Sequence, residues 1–207
     1  MEGTLNRIAR QFSNHTGIDV IYGKGTYLSE DGTPVGWYPT EPFDRDRLAV
    51  TNFICQPSAF FLRPAYERCG GVNIGLHYAM DYDLWIRMAI GDNFSFLPEN
   101  LSGFRLHAGS KTVSPQHSLK NHRECVETVF RHYGKVPINR IVAYAFQLTK
   151  YYISHFFEAN SHISSIFTLP VAIALYFRYN KWVRLSDILM ITPSNLKKLR
   201  ELDRLQM

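Results

Sequence analysis

Cysteine is scarce in this chain of 207 residues. The three present, Cys55, Cys69 and Cys125, are widely spaced and form no C-x-x-C pair. That excludes a disulfide framework and a cysteine-built zinc site, and it fits a reducing compartment. Long apolar runs are missing as well. The longest, Ile163 to Phe177, covers 15 residues and is interrupted by Ser164, Ser165, Thr168 and Pro170, too short to span a bilayer. The N-terminus has no basic region followed by an apolar one, so no secretory leader is expected. Dense cation runs and recognised nucleic-acid modules are also lacking, which argues against a nucleic-acid partner. There is no internal repeat or low-complexity tract.

What remains is the composition of a folded protein: 45% apolar and 14% aromatic residues. The net charge of +5 is unevenly spread. Residues 1–120 hold 11 Lys and Arg against 12 Asp and Glu, whereas residues 121–207 hold 12 against 6. The basic half also carries mixed clusters of cations and aromatics, Lys150-Tyr151-Tyr152, Tyr176-Phe177-Arg178-Tyr179 and Lys181-Trp182-Val183-Arg184. Such mixtures suit the headgroup level of a bilayer; an ordinary helical subdomain is the alternative.

Hydrophobic periodicity divides the chain in two. Leu5, Ile8, Ala9 and Phe12 mark a helix that Asn14 to Gly17 stops. Residues 18–22 read as a buried strand that Gly23-Lys24-Gly25 breaks and residues 26–28 resume. Ser29-Glu30-Asp31-Gly32 makes a hairpin turn, with Val35 to Tyr38 as the return strand. A short helix over 43–50, a strand over 59–62 and a helix from Pro64 to Cys69 follow. Phe94 to Leu97 and Leu101 to Leu106 read as two further strands. From about Pro115 the texture turns helical: 119–133, 138–157, 163–179 with a kink or start at Pro170, and a last amphipathic helix from Pro193 to Leu205.

Between these lies Met80-Asp81-Tyr82-Asp83-Leu84-Trp85-Ile86-Arg87, two acids opening an amphipathic helix. The positive end of a helix dipole keeps such a carboxylate ionised. Facing a cleft it acts as a general base; otherwise it only caps the helix.

The order of motifs is informative. It runs Asp19 to Gly23, Asn52 to Pro57, Glu67 through Gly70-Gly71, Met80 to Trp85, and Arg105-Leu106-His107 through Thr112. This series resembles the C-terminal half of the family 2 glycosyltransferases, inverting sugar-nucleotide enzymes of the GT-A fold. The resemblance covers about residues 1–115. It implies an α/β fold, a partial GT-A-like mixed sheet with flanking helices, followed by an α-helical C-terminal region over 116–207.

In that family the acidic pair opening this helix is usually Glu-Asp, and the second member is the catalytic base. Here the pair is Met80-Asp81, so the resemblance gives Asp81 the role, with Asp83 as its acceptor-side companion. It also implies that His107 holds a divalent metal (manganese or magnesium) or the donor diphosphate. Arg105 and Lys111 would add positive charge beside the phosphates; as isolated residues all three are equally surface groups. Gln56 would line the acceptor side, unless Gln56-Pro57 is only a turn. Trp37 and Tyr38 would stack on a sugar face, with core packing as the alternative.

The expected partners are a nucleotide-sugar donor and a glycan or lipid-linked acceptor. The expected place is the cytoplasm, including the inner face of the membrane. A donor half with a Rossmann-like unit and a D-x-D motif at a strand end should come first in such an enzyme. The strings Asp44-Arg45-Asp46 and Asp81-Tyr82-Asp83 do not follow apolar strands, so the metal site is expected to be incomplete here. The chain therefore reads as a truncated enzyme, or as a non-catalytic, carbohydrate-binding or membrane-surface remnant of one.

Overall fold

The computed structural model describes residues 3–107, 115–156, 161–182 and 187. It divides the chain into two compact units, Met1–Ala108 and Gly109–Met207, somewhat ahead of the boundary expected at 115. Among the described residues the protein is mixed α/β, with a four-stranded mixed sheet and seven helices.

The first unit is built on one central strand, β1 (Val20–Leu28). Along one side it pairs in parallel with β4 (Phe94–Arg105). Along the other it pairs antiparallel with β3 (Ala59–Phe61) over Val20 to Tyr22, and with β2 (Pro34–Trp37) over Thr26 to Leu28. Alternation decides which face each side chain enters. Val20 and Tyr22 pack with Leu48 of α2 (Arg45–Val50), Ala65 of α3 (Arg63–Arg68), and Leu84, Trp85 and Met88 of α4 (Met80–Met88). Ile21, between them, packs instead with Ile8 of α1 (Thr4–Asn14) and Leu101 of β4. Helices thus cover both faces, which is why 18–22 has to be apolar throughout.

Two readings of the sequence need correction here. Gly23-Lys24-Gly25 does not interrupt β1, and residues 94–97 and 101–106 are one strand, not two. Both follow from the pairing of β1 with β4. Gly23 opposes Leu97, Lys24 opposes Asn100 and Gly25 opposes Ser102, so β4 bulges outward at Pro98-Glu99 and again at Leu101. A Cβ on Gly23 would collide with the Leu101 side chain and the Glu99 carbonyl, and one on Gly25 with Cys55 Sγ. The two glycines admit close neighbours; they do not end the strand.

Local signals set the ends of the elements. Asp44 caps α2, its carboxylate accepting from Asp46 N at 2.8 Å and Arg47 N at 3.0 Å. Pro64 occupies the first turn of α3. The β1–β2 turn closes through Ser29, whose hydroxyl donates to Asp31 Oδ1 at 2.5 Å. That bond and the Thr33 amide hold the Asp31 carboxyl down at about 2.

The second unit contains α5 (Pro115–Tyr133), α6 (Ile138–Phe156) and α7 (Ser161–Tyr179). Gly134, at φ 68°, takes the left-handed conformation that ends α5. Val126 and Val129, then Ile141, Ala145 and Phe146, then Ala172 are all buried. The Asn180 carboxamide clamps the α5–α6 turn, accepting from Val136 N at 3.0 Å and donating to Val136 O at 3.1 Å. Pro170 lies inside α7 and does not start it, leaving the carbonyl one turn earlier without its helical donor. The helix expected over 193–205 lies outside the described residues.

Candidate functional site

Helix α4 starts at Ala79, which has no side chain able to cap it. Asp81 therefore stands in the first turn as an acceptor at the positive end of the helix. Its Oδ1 accepts from Tyr82 N at 2.8 Å. The Asn52 side chain also favours the Asp81 anion, less than the backbone amides do. These bonds favour the anion, but desolvation outweighs them and pushes the Asp81 carboxyl above the ordinary aspartate range. The residue remains half-buried, neither sealed in the core nor fully in water.

Asn52 is held from two sides. Its Oδ1 accepts from Ile54 N at 3.3 Å, an Asx-type bond. Its backbone carbonyl accepts from Tyr38 Oη at 3.0 Å. Tyr38 in turn donates its own amide to Gly25 O at 2.8 Å, just beyond the end of β2. The Tyr38 ring meets Tyr27 at a centroid distance of 5.9 Å.

Cys55 completes the neighbourhood. Its thiol is buried, and burial pushes its pKa up. Hydrogen bonds with Ser58 and Ser102 work against that shift, and the Asp81 charge adds to it. Residues Gln56–Ser58 form a 3-10 turn. Within it the Ser58 hydroxyl donates to Lys24 O at 2.8 Å and shares a 2.5 Å hydrogen bond with Ser102 Oγ. The segment thus crosses over β1 at Gly25 and reaches β4 on the far side.

Asp81, Tyr38 and the pair Asn52 and Cys55 come together from three separate stretches of chain. Gln56, exposed, follows Cys55 directly, and Trp37, 62% exposed, precedes Tyr38. Both acceptor-side candidates therefore adjoin residues of this cluster, and Trp37 is not core.

Asp83 goes elsewhere. Its side chain is buried and pairs with Arg87 Nε at 2.8 Å, one turn along α4. Arg87 continues to the Cys69 carbonyl and, at 2.7 Å, to the Gly71 carbonyl. The Asp83 carboxylate is committed to holding the turn after α3, and the expectation of an acceptor-side role for it is withdrawn.

Arg105 ends β4 opposite Leu28, and its guanidinium donates to Glu30 O at 2.5 Å in the β1–β2 turn. His107, two residues on, is exposed. Lys111 lies outside the described residues. Gly25, beside Cys55, and Leu28, opposite Arg105, are three residues apart on β1, a separation of about 10 Å. Among the described residues no three His, Cys, Asp or Glu side chains converge as metal ligands. No step below runs through a metal ion.

Sequence reasoning missed Asn52, and it read Tyr38 for its ring, not its hydroxyl. An Asn just ahead of an apolar run is a local signal for the Asx bond, but its approach to Asp81 depends on contacts 29 residues apart. The chain matches no protein-family model and no curated protein.

Proposed function

We propose that this chain carries the acceptor and base half of an inverting, GT-A-like glycosyltransferase that moves a sugar from a nucleotide donor to a glycan or lipid-linked acceptor. The observation that carries the reading is the state of Asp81: half-buried, raised by desolvation, and held at the start of α4 by the Tyr82 amide at 2.8 Å. A sugar hydroxyl is a weak nucleophile, and a carboxylate whose pKa is raised by desolvation is, once ionised, a stronger base for it than an ordinary aspartate.

In the reaction Asp81 accepts the proton of the acceptor hydroxyl. The oxygen forms its bond to the anomeric carbon as the bond to the diphosphate breaks on the opposite face, which inverts the centre. The nucleoside diphosphate leaves with the bonding pair. Asn52 orients the base, Trp37 offers a flat apolar surface to a pyranose, and Gln56 offers hydrogen bonds beside it. Arg105, which ends β4 opposite Leu28, and His107, two residues on, are the groups of this chain assigned to the phosphate end.

The test is release of nucleoside diphosphate from UDP-, GDP- and dTDP-linked hexoses, measured with and without sugar acceptors. Acceptor-dependent release that Asp81→Asn lowers by orders of magnitude is expected. An Asp81→Asn protein as fast as the natural one removes Asp81 from the mechanism. No release from any donor overturns transfer by this chain and leaves the non-catalytic, carbohydrate-binding reading.

A further inference from the structure

Helix α7 has two apolar faces, and among the described residues one is buried and the other exposed. Thr168, Ala172 and Tyr176 are buried, with the Thr168 hydroxyl 3.2 Å from that of Thr149 on α6. The other face carries Phe167, Ile173 and Phe177, which are 53%, 44% and 64% exposed, together with exposed Pro170 and Ala174. Positions 170, 173, 174 and 177 follow the spacing of one helical stripe.

What surrounds this stripe indicates its occupant. Neither α6 nor α7 contains a single Asp or Glu, while they carry Arg140, Lys150 and Arg178, and Lys181 follows. Exposed aromatics stand at both ends: Tyr151 and Tyr152 just after Thr149 on α6, and Trp182, 85% exposed, beyond the C-terminus of α7. Apolar residues along the middle, rings at the ends, cations among the rings and no acid within either helix is the pattern of a helix lying in the headgroup region of an anionic bilayer; the nearby Asp187 is taken up by the Tyr176 hydroxyl at 2.6 Å. An acidic protein would meet the charge equally well, whereas a second copy of the chain would bring the same cations against it. Neither would account for Phe and Ile along the middle bracketed by Tyr and Trp, the order of groups across a membrane interface. Among the described residues no helix is long and apolar enough to cross a membrane, so the contact is one of lying on the surface.

We infer that the outer face of α7 is a docking surface for an anionic lipid bilayer, with Phe167, Ile173 and Phe177 entering the acyl boundary and Lys150, Arg178 and Lys181 meeting lipid phosphates. The inference does not rest on Asp81 or on sugar transfer, and vesicle binding needs no donor, so the two fail separately.

The experiment is co-sedimentation of the full chain with phosphatidylcholine vesicles, with and without one-quarter phosphatidylglycerol, beside a light-scattering measurement of oligomeric state. Binding to the anionic vesicles is expected. It should fall at least about tenfold in Ile173→Ser/Phe177→Ser, whose altered positions are exposed and whose helicity should be unchanged by circular dichroism. It should fall about fivefold per charge in Arg178→Gln and Lys181→Gln. The inference is overturned by failure to bind either vesicle, by equal binding to both, or by unchanged binding of the double variant. It is equally overturned by a dimer that the double variant dissociates while vesicles are ignored.

Discussion

Asp81 and Asp83, two residues apart on α4, point about 200° apart around the helix and have opposite fates. Asp83 turns inward to a guanidinium at 2.8 Å and is held as a buried ion pair. Asp81 lies near Asn52 and Cys55, and burial raises its pKa. One carboxylate holds the fold together; the other is kept in a costly state, as catalytic groups commonly are.

That cost predicts a trade between stability and activity. A carboxyl whose folded pKa is raised stabilises the fold only while protonated, so its contribution is present below the usual 3.8 and lost as pH rises through the folded value. Asp81→Asn should therefore raise Tm at neutral pH, with the gain vanishing as pH falls toward 3.8, while transfer is lost. Thermal unfolding across that pH range checks it; a Tm lowered at pH 7 would count against a desolvated Asp81 anion.

The Asn52 side chain opposes the desolvation by favouring the Asp81 anion. Asn52→Ala should move the acid limb of the pH–rate profile to higher pH, because the Asp81 carboxylate loses a donor and must ionise later. An unmoved limb with reduced turnover would make Asn52 a substrate contact, not a partner of the base.

Asp83→Asn should destabilise the first unit by about 3 kcal/mol, since it leaves the Arg87 charge without its partner in a mostly buried setting. Asp83→Leu/Arg87→Met should cost less than either single change, because no charge is then stranded. Urea unfolding of the three proteins compares them. Limited proteolysis should cut the singles faster at Gly70-Gly71, whose turn Arg87 holds.

Gly25→Ala should cost about 1–3 kcal/mol by overpacking, because its new Cβ meets Cys55 Sγ. In a Cys55→Ala background most of that penalty should disappear. A double-mutant cycle on chemical denaturation reads the coupling directly; additive effects would show that some other neighbour sets the limit.

Much of the fold could be read locally. The Asp31-Gly32 turn, the Asp44 start of α2 and the Gly134 stop between α5 and α6 each depend on side chains within a few residues. The failures all involve distant partners. Gly23 and Gly25 look like breakers until Leu101 and Cys55 are seen to occupy the space where their side chains would be. Pro98 looks like the end of a strand until β4 is seen to bulge and resume against the same neighbour. Asp83 looked like a companion of Asp81 because spacing along a helix shows adjacency, not which acid will find a cation. The Asn52 contact needed a loop to fold back across the sheet, and no periodicity encodes that.

The bulge in β4 has a consequence for how the protein behaves in a crowd. Among the described residues β4 bonds to β1 alone, so its outer rim is where a stranger's strand would attach itself. Midway along that rim Pro98 brings no amide hydrogen, Arg7 takes the Glu99 carboxylate, and Thr4 bonds the Leu101 carbonyl at 3.3 Å. A ladder missing its middle rungs cannot be climbed from outside, so the irregularity that lets two glycines fit also deters edge-to-edge aggregation.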